Sequence, residues 1–424
     1  MQRLIPSETA LVLGGGGAKG AYQIGVMQAL ESLGISAGMA FGTSIGAINA
    51  ALYAQGDIQK ACALWKSLSL RDIVTSESIT LAEEAETIFS RPDKLLDFIT
   101  KNAQKKGLDT RPLFALICQI IDESTLRRSG VRFGLTATRF PSLAQTKKYL
   151  EDIPEGSLHD WLMASASCFP AMPVKAIGSD RYIDGGFTDN VPVEMAIHAG
   201  AKHIIAVDIG KTQAHTEYSR RPNITYIRAS HPLGGLLSFD PERSKRNIQL
   251  GYNDTLRAFS HLRGTHYSFD PIDAQRLRRR AEDFVCRLTA FEAGMDSRKH
   301  SVPLFALLEE DIRPGADAVD YLLRAMELCA QTLSVDPVPV YTFDRFRDQL
   351  AANLPLDPAK AMLSSLLGGR IGVLFAPPQP DRAQVLACLY LILQKEHAFS
   401  AVAMRTLSAF PRELLCALTL REVL

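Results

Sequence analysis

The chain carries almost no excess of either charge. Its 47 Lys and Arg stand against 46 Asp and Glu, for a formal net charge of +1. A protein that neutralises many phosphates holds a clear basic surplus, so nucleic acid is not an expected partner. A long apolar run is also missing. The best stretch, Val385 to Leu393, is about half of the roughly 18 residues a membrane-spanning helix needs, and it ends at Gln394, Lys395 and Glu396. No two cysteines are spaced C-x-x-C: Cys62, Cys118, Cys168, Cys286, Cys329, Cys388 and Cys416 stand apart, and their number is odd. That pattern predicts free thiols in a reducing compartment and no metal site. The first residues, Met1-Gln2-Arg3-Leu4-Ile5-Pro6-Ser7-Glu8, interrupt their apolar character with proline and acid, unlike a secretory leader. A cytoplasmic protein without a transmembrane segment is expected, with export by a route lacking such a leader left open.

What is present is ordinary globular composition, 46% apolar and 22% charged, in 424 residues, a length that suits two domains or one large domain with an appendage. Up to about residue 270, short β-branched runs alternate with helical patterns, the signature of a parallel α/β sheet. Strands are predicted at Thr9–Leu13, Gly38–Gly42, Val131–Thr138, Val174–Ile177, His203–Ile209 and Ile224–Arg228. Helices are predicted at Gly20–Leu33, Ile45–Ala54, Ser157–Ser167 and Pro192–Ala199. Beyond that, strand signals thin out and apolar residues recur at helical spacing, as at Leu386, Leu389, Tyr390 and Leu393. A division into 9–270 and a mostly helical 271–424 follows, with Asp336-Pro337-Val338-Pro339 and Ala376-Pro377-Pro378-Gln379-Pro380 as linkers. The run Arg276, Arg278, Arg279, Arg280 reads as a solvated helix face, with a patch for anionic headgroups as the alternative.

The first strand runs straight into Gly14-Gly15-Gly16-Gly17-Ala18-Lys19-Gly20 and then a helix. Strand, glycine turn and helix start bring bare backbone N–H groups to a helix N-terminus, which favours negative charge. Three anions compete. A dinucleotide would suit Gly15-x-Gly17-x-x-Gly20, but needs an acid about 20 residues on. Between Ala21 and Gly56 the sole acid is Glu31, inside the helix. A nucleotide phosphate loop needs G-x-x-x-x-G-K-[ST], whereas here Lys19 precedes Gly20 and no Ser or Thr follows. The third possibility is the charge that develops on an acyl carbonyl oxygen, which requires a nucleophile nearby.

Gly42-Thr43-Ser44-Ile45-Gly46 follows the second strand and opens a helix, which is G-x-S-x-G in its strand-to-helix context. The bland reading of Ser44 is a helix N-cap. Serine needs a base. Tyr182-Ile183-Asp184-Gly185-Gly186 offers a carboxylate beside two glycines, although Asp-Gly is also a common turn. A triad with His198, His203 or His231 stays open, though none lies in a glycine-flanked loop after a strand.

Taken together, and in this order, the glycine loop, Gly42-Thr43-Ser44-Ile45-Gly46 and Asp184-Gly185-Gly186 resemble the patatin-like phospholipase family. The likeness runs on through Ala164-Ser165-Ala166-Ser167-Cys168-Phe169-Pro170 and Asp189-Asn190-Val191-Pro192-Val193, covering about 9 to 210. It implies a three-layer α/β/α sandwich with a mainly parallel sheet, followed by a helical region it does not reach. It implies Ser44 as nucleophile, Asp184 as general base and an oxyanion hole at Gly15, Gly16, Gly17 and Ala18. Lys19, Gly20, Gly42, Gly46, Gly185 and Gly186 support these motifs. The substrate it implies is a lipid acyl ester, met at a membrane surface, with no cofactor and no metal. A catalytically silent or effector-gated module of the same fold is the alternative.

Overall fold

The computed structural model describes residues 4–89, 107–210, 212–296, 303–310, 312–313, 315–367, 381–394 and 409–424. The chain divides into two compact units, Met1–Ala258 and Phe259–Leu424. The first is built on an eight-stranded sheet. Its strands are β1 (Thr9–Leu13), β2 (Met39–Thr43), β3 (Arg132–Phe140), β4 (Ala144–Tyr149), β5 (Lys175–Ile177), β6 (Asp180–Asp184), β7 (His203–Asp208) and β8 (Ile224–Arg228). Neighbours follow the order β5-β6-β3-β2-β1-β7-β8, with β4 also on β3. The pairs among β3, β2, β1, β7 and β8 are parallel, and those of β3 with β4 and β6 and of β5 with β6 are antiparallel.

Every residue of β1 and β2 is buried, as expected of parallel strands covered on both faces. Alternation divides them. Ala10, Val12, Met39, Phe41, Ile204 and Ala206 pack with Val193, Met195 and Ala196 of the helix Val193–His198. The alternate residues Leu11, Leu13, Ala40, Ile205 and Val207 are also buried and face the other side. There lie helices α1 (Ala21–Ser32) and α2 (Ile45–Ala54). The observed architecture is the expected mixed α/β fold with a mostly parallel central sheet. Sequence patterning missed β4, whose Ala-Gln-Thr-Lys-Lys-Tyr is half solvated, and β6, interrupted by Asp180 and Arg181. It also missed Pro241–Ala258, a helix whose polar composition hides how closely it lies on α1.

That contact is made by backbone. A Cβ on Gly25 would sit 1.8 Å from the Ile248 carbonyl oxygen, and one on Gly251 2.0 Å from that of Tyr22. Beside the crossing, Tyr22 donates to Asp254 at 2.7 Å, and Asp254 pairs with the buried Arg257.

The second unit is helical around one apolar core. Arg278–Asp296, Ala318–Thr332, Arg382–Gln394 and Pro411–Val423 supply Phe284, Leu288, Leu322, Met326, Leu386, Leu389, Leu415 and Leu418. The apolar run Val385–Leu393 is therefore a core helix. The unit begins before the expected boundary at 270/271 because residues 263–269 are bound into it. Glu327 Oε1 accepts the N–H groups of Thr265, His266 and Tyr267 at 2.7, 3.1 and 3.1 Å, and Ser268–Phe269 pairs in parallel with Val340–Tyr341. The expected linker Asp336–Pro339 is a packed turn, whose Asp336 carbonyl accepts the Tyr341 hydroxyl at 2.7 Å. The expected linker at 376–380 lies outside the described residues. Arg276, Arg278, Arg279 and Arg280 are exposed, with Arg278 paired to Glu282 at 3.2 Å and Arg280 over the Phe343 ring.

The glycine contact between α1 and Pro241–Ala258 yields a test. Gly25→Ala forces the two backbones apart and is expected to destabilise by about 1–3 kcal/mol, the usual range for overpacking. Urea unfolding followed by far-ultraviolet circular dichroism measures it, and an unchanged midpoint would contradict the packing.

Candidate active site

The register of β1 on β2 brings two loops together. Leu13 stands opposite Gly42, so Gly14 and Gly15 leave the sheet beside Thr43 and Ser44. A Cβ on Gly15 would lie 3.1 Å from that of Ser44. Ser44 has φ +56°, a left-handed conformation that ordinary residues adopt only when their surroundings enforce it. Gly42 and Gly46 make room for the bend, since a Cβ on either would come within 2.2 Å of a carbonyl oxygen. The Ser44 N–H donates to Ser165 Oγ at 2.9 Å, and Ser165 donates onward to the Thr136 carbonyl at 2.7 Å.

Asp184 arrives along β3. Strand β2 pairs with Arg132 to Thr136, β6 with Ala137 to Phe140, and β4 with Gly134 to Arg139, overlapping both. A strand has two edges, so β4 takes one while β2 and β6 share the other and meet end to end between Thr136 and Ala137. Thr43 ends β2 there and Asp184 ends β6. The Ser44 hydroxyl donates to Asp184 Oδ2 at 2.5 Å, and Asp184 Oδ1 accepts the Gly186 N–H at 2.7 Å. Both residues are buried. Burial pushes the Asp184 carboxyl up to about 6, against the opposing pull of the hydrogen bonds from Ser44 and Gly186. A carboxylate so placed can take a proton from the serine at neutral pH.

Of the four residues expected to form the oxyanion hole, two have their N–H groups engaged. Gly15 donates to the Asn190 carbonyl at 3.0 Å and Ala18 to the Leu236 carbonyl at 2.8 Å. The donors left are Gly16 and Gly17, for whose N–H groups the described residues supply no acceptor. Asn190 brackets the loop from the other side as well, its Nδ2 donating to the Gly15 carbonyl at 3.3 Å. Lys19 borders the same cavity, of about 320 Å3, into which Ser44 and Asp184 open. Its walls are largely apolar, including Ile45, Ile48, Leu113, Met172, Leu236 and Phe239. A larger groove of about 1260 Å3, lined by Gln55, Lys60, Asp122 and His159, contains none of these groups.

None of the three histidines considered for a triad reaches the cavity. His198 is exposed, and His203 pairs with Thr9 at the opposite end of the sheet. Glu31 lies exposed on α1. Among the described residues no cluster of His, Cys, Asp and Glu has the arrangement of a metal site. Ser165 and Asn190 went unassigned in the sequence, although both fall in the segments that extended the resemblance. The wall at Leu236 to Phe239 carried no sequence signal.

Comparison with known proteins bears on the family. The sequence model of the patatin-like phospholipase family matches residues 11–197. These residues form a patatin-like phospholipase domain. The chain is 27% identical to the lysophospholipase NTE1 of Scheffersomyces stipitis over 217 residues, 51% of this chain and 13% of that protein. It is 30% identical over 222 residues to human patatin-like phospholipase domain-containing protein 6, covering 52% of this chain and 14% of that protein. The chain thus spans only a small part of the length of these relatives. Among solved structures, VipD from Legionella pneumophila aligns over 99% of this chain and 90% of its own, at 15% identity and a TM-score of 0.41.

The position of Asp184 in the patatin-like domain has a consequence for stability. An unfolded Asp titrates near 3.8, and the folded protein holds this proton more tightly, to about 6. The group therefore favours the fold below its unfolded value, and that contribution is lost as pH rises through about 6. Asp184→Asn, which keeps the shape without the charge, is expected to stabilise the protein by about 1–3 kcal/mol at pH 8 and by little below pH ~4. Thermal melts at the two pH values measure the difference.

Proposed function

We propose that the Met1–Ala258 unit is a serine hydrolase of lipid acyl esters, working through Ser44 and Asp184. The observation that carries this reading is the 2.5 Å hydrogen bond from Ser44, held at φ +56°, to a buried carboxylate at the mouth of an apolar cavity. The acyl chain lies against Ile45, Ile48, Leu113 and Leu236, and the ester carbonyl points its oxygen at the Gly16 and Gly17 N–H groups. Ser44 Oγ attacks the carbonyl carbon while its proton passes to Asp184 Oδ2. The oxyanion is held by the two glycine donors, each of the kind worth about 3–4 kcal/mol of barrier. Collapse of the tetrahedral intermediate expels the alcohol, which leaves with the proton from Asp184. Water, deprotonated by the same carboxylate, then attacks the acyl-serine, and Asp184 returns that proton to Ser44 Oγ as the fatty acid leaves.

A phospholipid or lysophospholipid suits this reading, since named relatives are phospholipase-domain proteins and lysophospholipases. Such substrates are presented at membrane surfaces. The proposal therefore makes the protein a peripheral enzyme working from the cytoplasm, with the exposed Phe187 at the rim of the cavity nearest the lipid. Among the described residues no helix is long and apolar enough to cross a membrane.

Hydrolysis of a short-chain p-nitrophenyl ester and of a phospholipid by wild type, Ser44→Ala and Asp184→Asn tests the assignment. Both variants are expected to lose at least about 10³-fold in kcat/KM while remaining folded. Activity retained in Asp184→Asn would remove Asp184 as the base. An inactive wild type that also resists a fluorophosphonate probe would make the chain a silent or effector-gated module. A second expectation concerns pH. Because Asp184 must be ionised to accept the proton, kcat/KM should fall about tenfold per pH unit below about 6 and level off above it. A profile flat from pH 5 to 8 would remove Asp184 as the base.

A further inference from the structure

A carboxylate outside the dyad reaches the wall of the same cavity. Glu86, on the helix Ile79–Phe89, accepts the Leu236 N–H on Oε1 at 3.1 Å and the Leu237 N–H on Oε2 at 2.5 Å. Gly235 lets it approach, for a Cβ there would lie 1.7 Å from Oε1. The peptide so held, residues 233–239, has no helix or strand of its own. Leu236, Leu237 and Phe239 from it line the cavity.

The strap is tied to the glycine loop at two points. The Leu236 carbonyl accepts the Ala18 N–H at 2.8 Å. Gly17, at φ +57°, passes beneath that carbonyl so closely that a Cβ would come within 2.1 Å of its oxygen. At the far end, the Phe239 ring stacks on Trp65 at 6.2 Å. Trp65 Nε1 donates to Asn49 at 3.0 Å, Asn49 to Gln23 at 2.8 Å, and Gln23 to the Gly14 carbonyl at 2.7 Å. The loop whose Gly16 and Gly17 donors remain available is thus gripped from both sides by one irregular segment, and Glu86 holds that segment's middle.

We propose that Glu86 is a positioning residue for the Ser44 chemistry, and the inference rests on the hydrolase reading. By fixing the peptides of Leu236 and Leu237 it holds the Leu236 carbonyl over Ala18, and through that bond it aims the Gly16 and Gly17 N–H groups at the oxyanion. Two N–H groups on one carboxylate make charge-assisted bonds, stronger than neutral ones. Asn247 Nδ2 holds the Leu233 carbonyl at 2.9 Å, and Glu86 holds the Leu236 and Leu237 N–H groups. Oxyanion donors act only when aimed in advance, so a shift of about an ångström is felt in the chemical step.

The test uses the full chain as wild type, Glu86→Ala, Glu86→Gln and Ser44→Ala, with two readouts. The first is hydrogen–deuterium exchange. In folded Glu86→Ala, the amides of Leu236, Leu237 and Ala18 should exchange at least about tenfold faster, while those of Ile204 to Val207 in β7 keep their rates. The second is steady-state hydrolysis of p-nitrophenyl butyrate. Here kcat should fall about 10- to 100-fold with KM within about threefold of wild type, because the oxyanion donors act in the transition state. Glu86→Gln keeps one carbonyl acceptor and should fall between. A residue that merely stabilised the fold would lower the melting temperature without this split between kcat and KM. Unchanged exchange at Ala18, Leu236 and Leu237 in Glu86→Ala overturns the proposal, and so does faster exchange with kcat intact. If wild type and Ser44→Ala hydrolyse the ester equally, the hydrolase reading fails and takes the catalytic role of Glu86 with it. The exchange result still decides whether Glu86 holds the strap.

Discussion

Strand β3 carries two strands of opposite direction along a single edge, and the candidate site depends on where they meet. Strand β2 approaches from one end and β6 from the other, and between Thr136 and Ala137 the edge passes from one to the other. A parallel sheet alone gathers its loops at the carboxyl ends of its strands. It cannot bring a second chain end back toward them within the same layer. The antiparallel β6 does so, and its last residue, Asp184, comes to rest against the first residue beyond β2. Hydroxyls reinforce the joint: Thr43 and Thr136 lie 2.6 Å apart, and Thr43 donates to the Asp189 carbonyl at 2.9 Å.

The electrostatics follow from that placement. A carboxylate buried by the sheet is poorly solvated, which raises its proton affinity into the range where it can serve as a base near neutrality. The same desolvation works against the fold once the group is charged, so the stability of the site and its usefulness pull in opposite directions. Ser44 carries a parallel burden in its left-handed backbone. Both are held by groups that do no chemistry themselves, among them the Ser165 hydroxyl, the Gly186 N–H and the glycines that let backbone approach backbone.

The glycine loop shows why donor count and donor identity differ. Four consecutive N–H groups looked equivalent as a motif, but a loop must also be held. Asn190 and Leu236 hold it by taking the donors of Gly15 and Ala18. What remains for a ligand is the pair in the middle. The helical second unit illustrates the same division between pattern and placement. Its apolar stripes were evident, but its start was not, because Glu327 captures three backbone N–H groups of residues that read as part of the preceding domain.

Much of the fold could be read directly, wherever local composition decides structure. The fully buried β1 and β2, the helices after the glycine loop and after Ser44, and the strand-to-helix context of Ser44 follow from short-range patterns of hydrophobicity and glycine. Strands β4 and β6 escaped because one is partly solvated and the other is interrupted by charge; β4 is a strand because β3 offers it an edge, and β6 because it lies between β3 and β5. Ser44 and Asp184 were recognisable as a motif pair, yet 140 residues separate them, and no local rule predicts a 2.5 Å contact across that distance. Ser165, Asn190, Glu86 and the 233–239 strap act through backbone groups of residues far away in the chain, which leave no periodicity to detect. The sequence by itself determined which residue types and local turns could support acyl chemistry. Only the tertiary structure decided which carboxylate meets the serine and which two N–H groups stay available, because pairing on β3 and capture of backbone donors are long-range contacts.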